Sequence, residues 1–165
     1  MKIVTGGQTG VDRAALDVAV GLGINYGEWC PRGGWAEDFP EPPGVRTQFP
    51  LLKETPLADP AQRTAWNVRD SDAVLILVGD AGTSASAGTA LAGQLAEGQG
   101  KPMLIVDLSH ADAVIGAKEW LETQRARFGA GLRLGIGGPR ESEAPGIYDR
   151  THAFLTALFR NSAAG

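Results

Sequence analysis

The chain has 165 residues (17.2 kDa), 43% of them hydrophobic and 21% charged, which is the composition of one soluble globular domain. A net charge of -4 and a pI near 5.1, with the 15 basic residues scattered, argue against a nucleic-acid binder that works by neutralising many phosphates. No apolar run reaches the roughly 20 residues that cross a bilayer. Cys30 is the only cysteine, so no intrachain disulfide can form. His110 and His152 lie far apart and leave no zinc-type ligand cluster. No signal-peptide pattern precedes the first strand, so the expectation is a reduced, cytoplasmic protein without a structural metal.

In chain order, Lys2 to Thr5 reads as an apolar strand, Gly6-Gly-Gln-Thr-Gly10 as a tight turn, and Val11 to Leu22 as an amphipathic helix. Gly23 to Tyr26 is a short, weakly marked second strand. From Gly27 to Pro60 prolines and glycines break every period, which predicts a long excursion over one end of a sheet. Its aromatic residues, Trp29, Trp35, Phe39 and Phe49, predict a packed cover. A helix opens at Asp59 or Pro60 and runs to about Val68. Asp72 to Val78 is the clearest buried strand, Gly79 to Thr89 a small-residue loop, and the helix beyond it carries Leu91, Leu95 and Ala96. Pro102 to Leu108, Ala111 to Phe128 and Leu132 to Ile136 follow as strand, helix and strand. The last helix begins near Pro145 and carries Ile147, Phe154, Leu155, Leu158 and Phe159. Strands alternating with helices predict a single α/β domain over residues 1–165: a Rossmann-like, doubly wound parallel sheet of about five strands, with any ligand outside their carboxyl ends.

The strand, glycine turn and helix at the amino end suggest a phosphate-bearing ligand, because glycines let the backbone approach an anion and the free N–H groups of a helix start attract it. Against G-x-G-x-x-G, Thr5 stands at the first glycine position, Gly7 at the second and Gly10 at the third. The same glycines also suit nothing more than a sharp turn and close helix packing, and Asp12 suits a first helical turn with no ligand present. Four small-residue loops follow strands and should converge: Gly6 to Gly10, the Cys30-Pro-Arg-Gly-Gly region, Gly79 to Thr89, and Gly137 to Ser142. Thr83, Ser84, Ser86 and Thr89 offer hydroxyls, while Arg32 and Arg140 offer charge-assisted contacts to an oxyanion. Arg63 and Asn67, four apart on one helical face, point either into the site or into solvent. No Ser-His-Asp or Cys-His pairing is discernible, and nothing near Cys30 fixes a thiolate.

Gly6-Gly-Gln-Thr-Gly-Val-Asp-Arg-Ala-Ala-Leu-Asp17, Trp29-Cys-Pro-Arg-Gly33, Ala36-Glu-Asp38, Asn67-Val-Arg-Asp-Ser-Asp72, Gly88-Thr-Ala-Leu91, Lys101-Pro102 and Gly138-Pro-Arg-Glu-Ser142 together resemble the putative molybdenum carrier family, in order and over nearly the whole chain. That family is similar in fold to the cytokinin-activating phosphoribohydrolases and to the DNA-processing protein DprA. The resemblance implies a binder of molybdenum cofactor, a pterin bearing a phosphate, and a homo-oligomer. It also implies Gly7 to Gly10, Gly88 and Thr89 as phosphate-facing positions. Where the phosphoribohydrolases carry a catalytic glutamate in P-G-G-x-G-T-x-x-E, this chain has Ala92, and the second glycine usual beside Gly88 is Ala87.

The expected function is therefore a non-catalytic carrier of a phosphate-bearing small molecule. Gly7, Gln8, Thr9, Gly10, Arg32, Gly88, Thr89, Arg140 and Ser142 are its candidate binding residues. The alternative is a nucleotide-binding or nucleotide-processing enzyme with Glu141 or Asp12 as acid/base. A nucleic-acid module is disfavoured by the acidic balance.

Overall fold

The computed structural model describes residues 1–160. Its six strands are β1 (Lys2–Val4), β2 (Asn25–Cys30), β3 (Leu52–Glu54), β4 (Ala73–Val78), β5 (Met103–Asp107) and β6 (Arg133–Gly137). They form one sheet in the order β3-β2-β1-β6-β4-β5, and every pairing is parallel. The helices are α1 (Val11–Leu22), α2 (Pro60–Arg69), α3 (Ala87–Gly98), α4 (Ala113–Phe128) and α5 (Ile147–Arg160). This is a Rossmann-like α/β domain, with one strand more than the pattern of the sequence suggests.

The differences from that pattern lie in β2 and β3. The second strand occupies Asn25–Cys30 instead of Gly23 to Tyr26, and β3 interrupts the excursion that carries no strand period. Neither shows an apolar alternation, because both owe their place to backbone pairing: Lys2 sits opposite Asn25, and Glu28 opposite Leu52. Glu28 is buried in the strand between Lys2 and Lys53. Burial pushes its carboxyl up, but the two ammonium groups together hold it below the ordinary value. A charged residue so paired hides a strand from a reading based on hydropathy. The rest of the excursion packs as a cover, with Ala36, Val45 and Phe49 joining Leu16, Cys30 and Leu52 in a small core of their own.

The helix boundaries follow local chemistry. Gly23 ends α1 in a left-handed conformation and returns its N–H to the carbonyls of Ala19 and Val20. Asp59 caps α2 by accepting the Ala61 N–H, with Pro60 at the first helical position, and Ser86 caps α3 by accepting the Thr89 N–H. The Lys101 ammonium closes the other end of α2, donating to the carbonyls of Val68 (2.6 Å), Arg69 (2.7 Å) and Ser71.

The two faces of the sheet are filled unequally. On one, α1, α4 and α5 bury Val11, Val18, Leu121, Leu155 and Leu158 against Ile3, Leu75, Leu77, Leu134 and Ile136. On the other, α2 and α3 place only Val68 and Ala96 in a buried cluster with Val74, Ile76 and Val78. Here β6 contributes Gly135 and Gly137, since its Leu134 and Ile136 alternate to the first face. From β1 the chain winds outward to β2 and β3, crosses to β4 and β5, and returns to insert β6 between β1 and β4. The loops after β1 and β4 therefore leave in opposite directions, which opens a crevice at the carboxyl ends above β6. Among the described residues no helix is long and apolar enough to cross a membrane.

Candidate functional site

That crevice holds a cavity of about 420 Å³, within the range of small-molecule sites. Its walls come from the end of β1 (Val4, Thr5, Gly6), from β6 and its loop (Gly135 to Gly138), and from the facing sides of α2 and α3. Gln8, Asp12, Trp35, Arg140 and Glu143 stand around it.

The first glycine turn is closed on itself. Asp12 accepts the Gln8 N–H (3.3 Å) and Arg63 Nη1 (3.1 Å), and the side chains of this ion pair are only 11% and 12% exposed. Burial pushes the Asp12 carboxyl up, with the Arg63 guanidinium pulling the other way. Arg63 also covers Gly6 so closely that a Cβ there would collide with Nη1. Gly7 lies against Val45 and Leu52, and Gly10 against the backbone from Pro139 to Glu141. Both have positive φ, at 79° and 74°. Arg13 donates to Asp38 through both terminal nitrogens (2.7 and 2.9 Å) and to the Gly7 carbonyl, tying the cover to the turn.

Beside this turn sits a polar knot. The Thr9 hydroxyl donates to Glu37 and accepts the Glu141 N–H, and Ser142 donates to Glu37 through its hydroxyl (2.6 Å) and N–H (3.3 Å). Burial pushes the Glu37 carboxyl up, but these hydrogen bonds together hold it below the ordinary value. Gln8 Oε1 accepts the N–H groups of Thr9 and Glu37, so its amide nitrogen is the atom left to face a ligand. Arg140 donates to Glu143 (3.2 Å), and both line the cavity. Glu141 accepts the N–H groups of Gly146 and Tyr148 at the start of α5, which is a capping arrangement.

The start of α3 is open. Ser86 takes the Thr89 N–H, which leaves the N–H groups of Ala87 and Gly88 without an intrahelical acceptor. A Cβ at Gly88 would meet only Ser86 Oγ, at 3.8 Å. Thr89 is one of the residues around the cavity, at 3% exposure, and its hydroxyl is buried with no hydrogen-bond partner. The Thr5 hydroxyl on the opposite wall is buried too, leaning toward Asp12 without meeting the geometry of a hydrogen bond.

Of the nine candidate residues, Gln8, Gly88, Thr89 and Arg140 are thus brought to one cavity. Gly7, Thr9, Gly10 and Ser142 belong to the packed loops behind it, and Arg32 is exposed outside its lining. Asn67 lines the cavity but spends its amide on the Trp29 N–H (2.9 Å) and carbonyl (2.8 Å). Thr5 stands at the first position of the glycine fingerprint and Gly137 opens the last of the converging loops, whereas Trp35 and Gly135, the other half of the floor, carry no motif. The one signal for that floor is the alternation Leu-Gly-Ile-Gly in β6. Cys30 lies outside the lining; its Sγ donates to the Lys53 carbonyl, and burial pushes the thiol up to about 11. Among the described residues no group of three His, Cys, Asp or Glu side chains is placed to hold a metal ion.

The parallel sheet and its crevice define the class: a Rossmann-like α/β domain with a cavity at its switch point. The chain belongs to the circularly permutated YpsA SLOG family, whose model matches residues 3–159. A crystal structure of a putative molybdenum carrier protein from Syntrophus aciditrophicus SB is similar at 36% identity and a TM-score of 0.80, over 95% of this chain and 93% of that one. A comparison with curated proteins finds no match.

Proposed function

We propose that this protein binds a phosphate-bearing small molecule in the cavity and acts as a carrier without catalysing a reaction on it. The observation that carries this reading is the Thr89 hydroxyl, buried and unpartnered at the open start of a twelve-residue helix. A buried hydroxyl without a partner costs about 1–3 kcal/mol, and an oxyanion bound there relieves that cost. The phosphate accepts from the Ala87 and Gly88 N–H groups and from Thr89, while Gln8, Arg63 and Arg140 supply donors from the other wall. In this proposal Gly7, Thr9, Gly10 and Ser142 hold the loops in shape. Ala92 lines the cavity where the phosphoribohydrolases carry their glutamate, and its methyl group transfers no proton.

The name of the Syntrophus protein makes molybdenum cofactor the first compound to test. In this reading its phosphate lies at the start of α3, and Gln8, Arg63 and Glu143 offer polar groups to the edge of its pterin. Among the described residues, those that line the cavity include no Cys or Met. The test is native mass spectrometry of the purified protein beside its denatured mass, with phosphorus and molybdenum measured in the same sample. The expected result is a phosphorus-containing adduct that the Thr89→Val variant loses. Molybdenum in it assigns the cofactor, and a nucleotide mass assigns the alternative ligand. A protein that carries no phosphorus and is stabilised by no phosphate ester in a thermal-shift panel overturns the proposal.

A further inference from the structure

We propose that Trp35 is the platform on which a heteroaromatic ring of the bound molecule stacks, which makes the ligand a phosphate ester that carries such a ring; this rests on the binding function proposed above. The other three tryptophans are spent on the fold. Trp29 and Trp66 meet edge to face with ring centroids 4.7 Å apart, and the Trp29 indole N–H donates to Asp70 (2.7 Å). Trp120 packs against the larger core. Trp35 is half-buried among the residues around the cavity, and it differs from all three. Among the described residues its ring meets no aromatic partner, it joins no buried cluster, and its indole N–H has no acceptor.

The backbone that carries this unpaired side chain is tied on both sides. Before it, Gly34 has a positive φ of 66° and lies so close to Pro43 and Gly44 that a Cβ there would strike the Pro43 carbonyl oxygen. After it, Ala36 is fully buried and exchanges backbone hydrogen bonds with Phe39 (3.2 and 2.9 Å). The Glu37 N–H then donates to Gln8 Oε1 (2.9 Å) and Asp38 holds Arg13, which fastens the segment to the first glycine turn. An indole on so fixed a backbone loses little freedom when a ring covers it, and aromatic rings gain from stacking beyond the area they bury. Gln8 gives the ring its polar character. Its amide nitrogen is uncommitted and it stands around the same cavity as Trp35. A hydrocarbon ring leaves that donor without an acceptor, whereas a ring nitrogen or carbonyl oxygen supplies one.

Two probes share a phosphate and a sugar and differ in the ring: ribose 5-phosphate and adenosine 5′-monophosphate, each titrated by calorimetry and by tryptophan fluorescence. The wild type is expected to bind the adenine compound about tenfold more tightly, the size of one base–aromatic stack. Its indole emission is quenched by that compound and not by ribose 5-phosphate. Trp35→Leu keeps an apolar side chain and disturbs no buried cluster, so it is expected to melt with the wild type. In this variant the affinity for ribose 5-phosphate is unchanged, the preference for the adenine compound and the quenching disappear, and Trp35→Phe keeps most of the preference. Equal affinity of the wild type for the two probes, or a preference that survives Trp35→Leu, overturns the platform and leaves the phosphate site standing. An equal loss of both probes in Trp35→Leu overturns it too, since it assigns Trp35 to the shape of the loop. Binding of neither probe by the wild type removes the phosphate site and the platform together.

Discussion

The β1–α1 and β4–α3 units have the same design in sequence: an apolar strand, a loop of small residues and a helix. Folded, they do opposite things. In the first, Arg63 covers Gly6, the Pro139 to Glu141 backbone covers Gly10, and Asp12 takes the N–H that an anion would need. In the second, Gly88 has free space around it and Thr89 has a hydroxyl with nothing to bond. A glycine-rich turn is equally good for bringing a ligand to the backbone and for bringing another loop there. Which of these happens depends on what the rest of the chain delivers to it.

The comparison is open to direct attack. Gly10→Ala forces a side chain onto a left-handed φ and into the Pro139 carbonyl, and is expected to cost about 3 kcal/mol, a fall in Tm of roughly 6–12 °C by thermal denaturation. A variant that melts with the wild type would mean that the first turn is not packed as described. A smaller effect, about 1 kcal/mol because Asp38 is 42% exposed and screened, is expected of Asp38→Asn. Hydrogen bonds from Arg13 hold the Asp38 carboxyl below its ordinary value of 3.8, so its contribution is complete above that pH and disappears as the pH falls through the folded value. The Tm difference between wild type and variant should therefore narrow as the pH is lowered; a gap that does not change with pH would show that charge is not its cause. Gly88→Ala has the smallest expected effect on stability, unchanged or higher by under 1 kcal/mol, because the position is helical and open. The same variant should retain less of any phosphate-bearing adduct, which is the reverse of the pattern at Gly10.

Much of the architecture is legible from one residue to the next. The run Ala73–Val78 and the Asp59-Pro60 start of α2 are local statements, and local chemistry is enough to place them. Only the first residues of β2 are legible and β3 is not, since Glu28 is tolerated there only because Lys2 and Lys53 arrive from other strands. Arg63 shows the same limit within the site: its spacing left it facing either the cavity or solvent, and its ion pair with Asp12, 51 positions away, decides for the cavity.

By itself the sequence determined the class of fold, the edge at which the loops gather and the family to which the chain belongs, because strand period, helix caps and glycine turns are written in neighbouring residues. Only the tertiary structure decided which glycine turn is filled and which is open, and that the glycines of β6 line the cavity. Those outcomes depend on side chains meeting across the sheet, at distances along the chain that no local pattern records.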